Sequence, residues 1–217
     1  LKMKYNTVLF DLDGTLLNTL EDLADSINAV MAREGYPQRT NEEVMTFIGD
    51  GAKLLLTRSL PPGASETEIL RCLSLFRTIY AENIQNKTRP YEGIPALLKK
   101  LKEMGIKTGV VSNKPDEATK EVCRLYFQGI IGAAIGDNID RKKKPEPDNI
   151  YEAMKQLGAE KEKTIYIGDS DTDILTAKNA GIDGVGVTWG YRSRETLEKA
   201  GAGQIIDTPD QLIALII

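Results

Sequence analysis

The chain has 217 residues, of which 41% are hydrophobic and 28% charged, and its formal net charge is −4. This composition is typical of a globular protein of one or two domains, and the acidic balance argues against non-specific binding to nucleic acid or to an anionic membrane. Histidine is absent, which excludes histidine nucleophiles, histidine bases and histidine-ligated zinc.

The first predicted element is an apolar strand at residues 7–10, and the segment DLDGT at residues 11–15 follows it directly. Two carboxylates at the end of a buried strand, Asp11 and Asp13, would be costly without a partner, and a divalent cation would offset their repulsion. Gly14 has the backbone freedom that lets N–H groups turn toward an anion. The alternative interpretation is an ordinary turn with both acids in solvent.

A block of helices is predicted next, over residues 17–87. Its first helix has apolar residues at steps of three and four and ends near Gly35. The segment GDG at residues 49–51 interrupts the pattern, and Ser65 with Glu68 forms a capping box before a longer helix. The predicted helices of this block lie at residues 20–35, 41–47, 52–60 and 65–85.

From Arg89 onward, helical and strand-like segments alternate, which predicts an α/β fold: a parallel sheet with helices on both faces. The strand at residues 7–10 is expected to join this sheet, so the helical block is an insertion after the first strand. The predicted strands lie at residues 107–112, 130–135, 164–167, 184–188 and 204–206. The predicted helices lie at residues 94–104, 116–127, 148–157 and 171–180, with one more at the C-terminus.

Polar side chains follow several of these strands, at the edge where open α/β sheets bind ligands. Ser112 and Asn113 follow the first strand after the helical block, and Lys144 lies in a basic run after the next. The segment GDSDTD at residues 168–173 follows a third strand. Each segment alone has a plain alternative: a turn, a solvated charge run or a helix cap. Together with DLDGT they make four coincidences in order, which are much less probable than one.

These segments resemble the four motifs of the haloacid dehalogenase superfamily, in its phosphatase branch. The residues that carry the resemblance are the DLDGT segment, Ser112, Lys144, and Asp169 with Asp173. The helical insertion resembles the mobile cap of that family, so the resemblance covers nearly the whole chain. It implies a Rossmann-like core at residues 1–16 and 88–217, and a helical cap at residues 17–87 that closes over the site and selects the substrate.

The resemblance implies hydrolysis of a phosphate ester through a phosphoaspartyl intermediate on Asp11. Asp13 would protonate the leaving alkoxide and then deprotonate the hydrolytic water. Lys144 would neutralise charge on the phosphate and on Asp11. The implied cofactor is Mg²⁺, held by Asp11, by the backbone carbonyl of Asp13 and by Asp169, with Asp173 orienting the site.

Further residues are implied to bind the substrate. Those expected at the phosphate are Gly14, Thr15, Ser112, Asn113 and Lys144. In the cap, Gly49, Asp50 and Gly51 break the helical pattern, so that backbone N–H groups at the start of a helix can face an anion. Arg58 and Lys53 are candidate cap cations, although for each of them a solvated or snorkelling side chain is the favoured interpretation.

Secondary signatures point to one substrate. They resemble the phosphoglycolate phosphatase group and lie at residues 47–52, 56–58, 89–93 and 189–192. The expected reaction is therefore hydrolysis of a small phosphorylated metabolite, 2-phosphoglycolate, to glycolate.

Several alternatives stay open at this point. A β-phosphoglucomutase-like enzyme would share the core and cap, and a pyrophosphatase or nucleotide phosphatase belongs to the same branch. A phosphonoacetaldehyde hydrolase would use Lys53 as a Schiff base, but the spacing from Gly49 is one residue longer than is usual in that family. A different class is a signalling receiver module, in which a clustered aspartate accepts a phosphoryl group; a receiver needs no second acid and no cap. An inactive binding homologue is also conceivable.

The two cysteines, Cys72 and Cys123, lie in separate predicted helices, so no disulfide framework is expected and a cytoplasmic location is indicated. Neither is followed by arginine six residues later, which excludes the usual cysteine-phosphatase loop. No apolar run approaches the ~20 residues of a membrane span, and we expect no signal peptide. No nucleic acid or membrane partner is expected, and the chain is predicted to be a monomer or homodimer.

Overall fold

Eight β-strands and ten α-helices form the part of the chain that this computed structural model describes, residues 3–217. The strands are β1 (Thr7–Phe10), β2 (Leu17–Asn18), β3 (Arg89–Pro90), β4 (Lys107–Pro115), β5 (Ala133–Asp137), β6 (Thr164–Gly168), β7 (Asp183–Val187) and β8 (Gln204–Ile206). The helices are α1 (Leu20–Glu34), α2 (Asn41–Phe47), α3 (Ala52–Ser59), α4 (Glu66–Asn83), α5 (Ile94–Glu103), α6 (Asp116–Phe127), α7 (Asp148–Leu157), α8 (Asp171–Ala180), α9 (Arg194–Lys199) and α10 (Gln211–Ile216). Within this described range, no helix is long and apolar enough to cross a membrane.

Six strands form one parallel sheet in the order β5-β4-β1-β6-β7-β8. β1 lies between β4 and β6, so that Phe10 is beside Val110 on one side and Ile167 on the other. Because parallel strands end at the same edge of a sheet, the polar segments that follow these three residues converge there. The predicted α/β fold class is confirmed.

The sheet is covered on both faces because alternate side chains of its strands point in opposite directions. All four residues of β1 are buried, as its apolar sequence predicts. Leu9 belongs to an apolar cluster that includes Ile150 of α7 and Ala177 of α8. Phe10 belongs to a second cluster that includes Leu98 of α5. The site therefore stands on a strand that is fixed from both sides.

Helices α1–α4 lie between two short strands, β2 and β3, which the sequence does not predict. These strands pair antiparallel, with Leu17 opposite Pro90 and Asn18 opposite Arg89. The chain thus leaves the parallel sheet and returns to it through one narrow junction. The predicted boundaries of the helical cap, residues 17 and 87, fall beside this junction, and the division into two domains stays a prediction.

Some predicted boundaries differ from the structure. The strand predicted at residues 130–135 begins only at Ala133, because the backbone N–H groups of Ile130 and Ile131 donate to the carbonyl of Phe127 in a turn after α6. β4 runs to Pro115, beyond the predicted end at residue 112. Helix α9 is absent from the prediction.

Candidate active site

Three aspartates meet at the carboxyl edge of the sheet. Asp11 follows β1, Asp169 follows β6, and Asp173 lies in the first turn of α8. All three are buried, and each brings one carboxylate oxygen to within 4.8 Å of the others. The structure therefore brings together the side chains that the sequence analysis assigns to nucleophile and metal.

Lys144 balances part of this negative charge. Its Nζ lies 2.9 Å from Oδ1 of Asp11 and 2.7 Å from Oδ1 of Asp173. Burial works against the charged ammonium, but Asp11 and Asp173 outweigh it and raise the pKa of Lys144. Asn113 holds the lysine backbone from both sides, accepting from its N–H at 2.9 Å and donating to its carbonyl at 3.2 Å. A permanently charged cation is therefore fixed beside Asp11.

The carboxylate of Asp169 is oriented by two donors. The hydroxyl of Thr15 donates to Oδ1 at 2.9 Å, and the backbone N–H of Tyr191 donates to Oδ2 at 2.8 Å. Gly14 has a φ of +88°, and a Cβ at this position would overlap the Asp169 carboxylate. Thr15 and Gly14, expected at the phosphate, therefore contact a carboxylate in this structure.

Asp173 has both oxygens engaged. Oδ1 accepts from Lys144 and, at 3.0 Å, from the hydroxyl of Tyr166, while Oδ2 accepts from the backbone N–H and the hydroxyl of Ser170. These contacts fit the predicted orienting role better than direct coordination of an ion.

The donor set of this cluster fits a hard divalent cation. Burial and the charge of Asp173 raise the pKa of Asp11 well above its ordinary value, and the same two causes raise the pKa of Asp169 to about 7. The raised pKa values of Asp11 and Asp169 indicate that Lys144 alone does not offset the negative charge of the cluster. The ligand atoms on offer are oxygens, which Mg²⁺ prefers.

Asp13 has a lysine partner that the sequence analysis does not anticipate. Oδ1 of Asp13 accepts from the hydroxyl of Thr19 at 2.8 Å and lies 3.1 Å from Nζ of Lys114. Within residues 3–217, Oδ2 accepts no hydrogen bond, although the side chain is only 13% exposed. One oxygen is thus tethered and the other is available to a substrate.

The wall of the site beyond Asp13 is formed by the end of β4. The backbone N–H of Lys114 donates to Oγ of Ser112 at 3.2 Å, which joins two residues of this segment. Nζ of Lys114 lies 2.8 Å from the hydroxyl of Tyr80 on α4. The end of β4 therefore touches both Asp13 and the helical insertion.

The loop at residues 49–51 closes the site from the insertion side. The carbonyl of Gly49 accepts from the side chain of Asn113 at 3.0 Å, and the carbonyl of Asp50 accepts from Nζ of Lys143 at 2.7 Å. Gly51 has a φ of +91° and packs against the carbonyl of Asn113. Both glycines lie on the wall of the cavity described below.

The candidate cap cations are engaged elsewhere. Arg58 forms an ion pair of 2.7 Å with Asp50 and donates to the carbonyl of Phe47. Lys53 forms an exposed ion pair with Glu66. None of Arg58, Lys53 and Asp50 is among the residues that line the cavity. Both cations pair with carboxylates of the insertion, and the solvated or snorkelling interpretation stays a prediction.

A cavity of about 700 Å³ lies between the sheet edge and the helical insertion. Its polar wall comes from the sheet, with Asp11, Asp13, Ser112, Asn113 and Lys114. Its apolar wall comes mainly from the helices, with Leu55, Phe76, Tyr80 and Ile84. A phosphate at the polar wall would leave the alcohol portion of an ester among the residues of the insertion.

Sequence reasoning missed the tyrosines and Lys114. Tyr166 sits in a predicted central strand, where a buried hydroxyl needs a partner, and that was a usable signal. Lys114 follows Ser112 and Asn113 directly, which could have placed it at the same edge. Nothing in the local pattern of α4 distinguishes Tyr80 from the other apolar residues that face the core.

Known proteins resemble the chain along its whole length. The model of the haloacid dehalogenase-like hydrolase family matches residues 8–187. The phosphoglycolate phosphatase of Haemophilus influenzae is 32% identical over 221 residues, covering 98% of this chain and 99% of that protein. That of Aquifex aeolicus is 35% identical over 185 residues, covering 85% of each. A solved structure of a candidate phosphoglycolate phosphatase from Lactobacillus delbrueckii subsp. bulgaricus has a TM-score of 0.93 and 36% identity over 99% of each chain.

Proposed function

Because the chain belongs to the haloacid dehalogenase-like hydrolase family, we propose that it hydrolyses a small phosphate monoester with a carboxylate on its leaving alcohol, 2-phosphoglycolate being the first candidate. That it is a phosphatase follows from the family and its relatives, which confirms the resemblance and the reaction class predicted from the sequence. The observation that carries the proposal is the ion pair of buried Lys144 with Asp11, which itself lies on the polar wall of the cavity.

Asp11 is the proposed nucleophile. Its carboxylate would attack phosphorus in line with the leaving oxygen, forming an acyl phosphate as the phosphorus–oxygen bond of the ester breaks. Lys144 stays protonated because Asp11 and Asp173 hold its pKa high, so it can neutralise phosphate charge throughout. Ser112 and the backbone of Asn113 are the proposed hydrogen-bond donors to the phosphate oxygens.

Asp13 is the proposed acid and base. Thr19 and Lys114 hold its Oδ1, so Oδ2 is the oxygen that would give a proton to the departing alkoxide. The resulting carboxylate would then take a proton from the water that hydrolyses the phosphoaspartate. Two aspartates are needed because one carboxylate cannot serve as nucleophile and proton donor in the same step.

The acid cluster is the proposed Mg²⁺ site. The ion would be held by Asp11, by the backbone carbonyl of Asp13 and by Asp169. Asp173 would orient the site by holding Lys144 beside Asp11. When bound, Mg²⁺ would screen the repulsion between the attacking carboxylate and the phosphate. The raised pKa values of Asp11 and Asp169 support this assignment.

The helical insertion at residues 17–87 is the proposed cap domain, standing on a core of residues 1–16 and 88–217. It contributes the apolar wall of the cavity, which supports a role in excluding water and choosing the alcohol portion. A cytoplasmic location and a monomeric or homodimeric state belong to the same proposal. Lys53 pairs with Glu66 away from the cavity, which speaks against the Schiff-base alternative.

Phosphate release from a panel of esters tests the proposal. The panel contains 2-phosphoglycolate, glucose phosphates, a nucleotide and pyrophosphate, each with Mg²⁺ and with excess chelator. We expect the highest kcat/KM for 2-phosphoglycolate, loss of turnover in chelator, and a drop of at least roughly a thousandfold in Asp11→Asn. Asp140→Asn, at an exposed position, is the matched control. Full activity of Asp11→Asn would overturn the mechanism, and a preference for another ester would overturn only the substrate.

A further inference from the structure

We propose that Lys114 and Tyr80 form the subsite for the carboxylate of the leaving alcohol, and that this subsite, which lies partly on the core, gives the enzyme its preference for an acidic substrate. The inference rests on the proposed function and names the side chains that would bind the carboxylate of its substrate.

Lys114 is a buried cation with an open donor. Its side chain is only 3% exposed, and lysine is rarely buried unless it is paired. Two partners are present: Oδ1 of Asp13 at 3.1 Å and the hydroxyl of Tyr80 at 2.8 Å. An ammonium has three N–H donors, so one remains. Because Lys114 lines the cavity, that donor can serve a ligand.

Tyr80 supplies a second donor, from helix α4 of the insertion. Its hydroxyl accepts from Lys114, which leaves its own proton without an acceptor among residues 3–217. The ring is stacked on Phe76 at 5.5 Å between centroids, so the hydroxyl is held in place. Burial raises the pKa of Tyr80 to about 12, and the hydroxyl therefore keeps its proton near neutral pH. Together the two side chains offer one O–H and one N–H to the same anion.

The position of this pair matches the chemistry of the leaving group. Asp13 is the proposed acid for the ester oxygen, and Lys114 contacts the tethered oxygen of the same carboxylate. A group one carbon away from the ester oxygen would therefore lie close to Lys114. In 2-phosphoglycolate that group is the carboxylate. Among the described residues, the one other cation that lines the cavity is Arg77, and it is exposed; Lys114 is therefore the cation that is shielded from water.

Lys114 has a competing role, which is to neutralise the charge of Asp13. Comparing esters that differ only in the alcohol portion separates this role from binding of the substrate carboxylate. Ethyl phosphate differs from 2-phosphoglycolate by a methyl group in place of the carboxylate, and phosphoethanolamine carries a cation on its alcohol portion. If Lys114 only neutralises the charge of Asp13, it should support proton transfer from Asp13 to the leaving alkoxide equally for every ester. A carboxylate subsite would favour 2-phosphoglycolate, accept ethyl phosphate poorly and repel phosphoethanolamine.

The experiment measures kcat/KM for these three esters in the wild type, Tyr80→Phe and Lys114→Met, with Tyr151→Phe and Lys102→Met as surface controls. We expect the ratio of 2-phosphoglycolate to ethyl phosphate to fall about tenfold in Tyr80→Phe and about a hundredfold in Lys114→Met, chiefly through KM, and to stay constant in the controls. In the wild type, phosphoethanolamine should be the poorest of the three substrates, which keeps the proposal testable if a variant does not fold.

Three outcomes are distinguishable. An unchanged ratio in both variants, or a wild type that hydrolyses ethyl phosphate as well as 2-phosphoglycolate, overturns the subsite and leaves the phosphatase in place. A fall in the ratio in both variants supports the subsite. No Asp11-dependent phosphate release from any ester overturns the proposed function itself.

Discussion

At the scale of single residues, the site concentrates negative charge in a place that water barely reaches. Asp11, Asp169 and Asp173 are all buried, and Lys144 returns only one positive charge. Asp169 and Asp173 nevertheless accept directional hydrogen bonds, and Asp11 pairs with Lys144, so the geometry of the cluster is fixed. Such an arrangement is suited to binding a divalent cation. The free energy of unfolding of the protein should therefore depend on pH and on the presence of the metal.

Asp169→Asn tests this dependence. The folded-state pKa of Asp169, about 7, lies above the ordinary value of 3.8. Its protonated form therefore stabilises the metal-free fold at low pH, and this stabilisation is lost as pH rises from about 4 to about 7. Asparagine cannot ionise, so the free energy of unfolding of the variant should rise relative to wild type over that range, by up to about 4 kcal/mol.

Chemical denaturation in chelator at a series of pH values measures this difference, and repeating it with Mg²⁺ provides the control. Wild type should gain stability from Mg²⁺ near neutral pH, and Asp169→Asn should gain little. A difference between the two proteins that does not change with pH would show that Asp169 is ionised throughout.

At the scale of secondary-structure elements, one buried carboxylate bridges the two ends of the insertion at its junction with the sheet. Asp22 on α1 is 1% exposed and accepts from the backbone N–H groups of Lys87 and Thr88, with the closest contact at 2.7 Å. These residues precede β3, so the contact joins the first helix of the insertion to its last segment. The pairing of β2 with β3 then follows within a few residues.

Asp22→Asn should destabilise the protein by about 1–3 kcal/mol, because an amide group would face backbone donors that now share a carboxylate. Asp25→Asn on the same helix is the matched control: Asp25 is 54% exposed and pairs with Lys87 on the surface, where such pairs contribute about 0–1 kcal/mol. Urea unfolding distinguishes the two variants. Equal midpoints would mean that the junction does not depend on Asp22.

At the scale of the whole molecule, an arginine of the core adds a contact to the insertion beside the loop at residues 49–51. Arg192, which follows β7, donates to the carbonyls of Met45 and Ile48 at 3.0 and 2.6 Å, at the end of α2. The loop that faces the cavity begins at the next residue, Gly49. Core and insertion are thus joined at the strand junction and again beside the active site.

Arg192→Gln should loosen this second attachment. We expect faster amide hydrogen exchange over residues 41–51, with opening favoured by about 1–3 kcal/mol, because charged donors to the helix end are lost. Arg194→Gln removes only an exposed pair with Asp207 and serves as the control. Identical exchange in both variants would contradict the attachment.

Much of the core could be predicted from the sequence because its signals are local. An apolar run followed by DLDGT indicates a buried strand with acids at its end, and alternation of strands and helices indicates a parallel sheet. The predicted strand at residues 130–135 shows the limit: Ile130 and Ile131 are apolar, but a turn after α6 takes their backbone N–H groups. The pairing of β2 with β3 was beyond reach because each strand has only two residues.

The sequence by itself determined that Asp11, Ser112, Lys144 and Asp169 share one edge, because the carboxyl ends of parallel strands always lie together. Only the tertiary structure decided which side chains complete the site. Tyr80 reaches Lys114 through the packing of α4 over the sheet edge, and Arg58 pairs with Asp50 within the insertion. Such contacts depend on how whole elements pack against one another, and no local pattern encodes that packing.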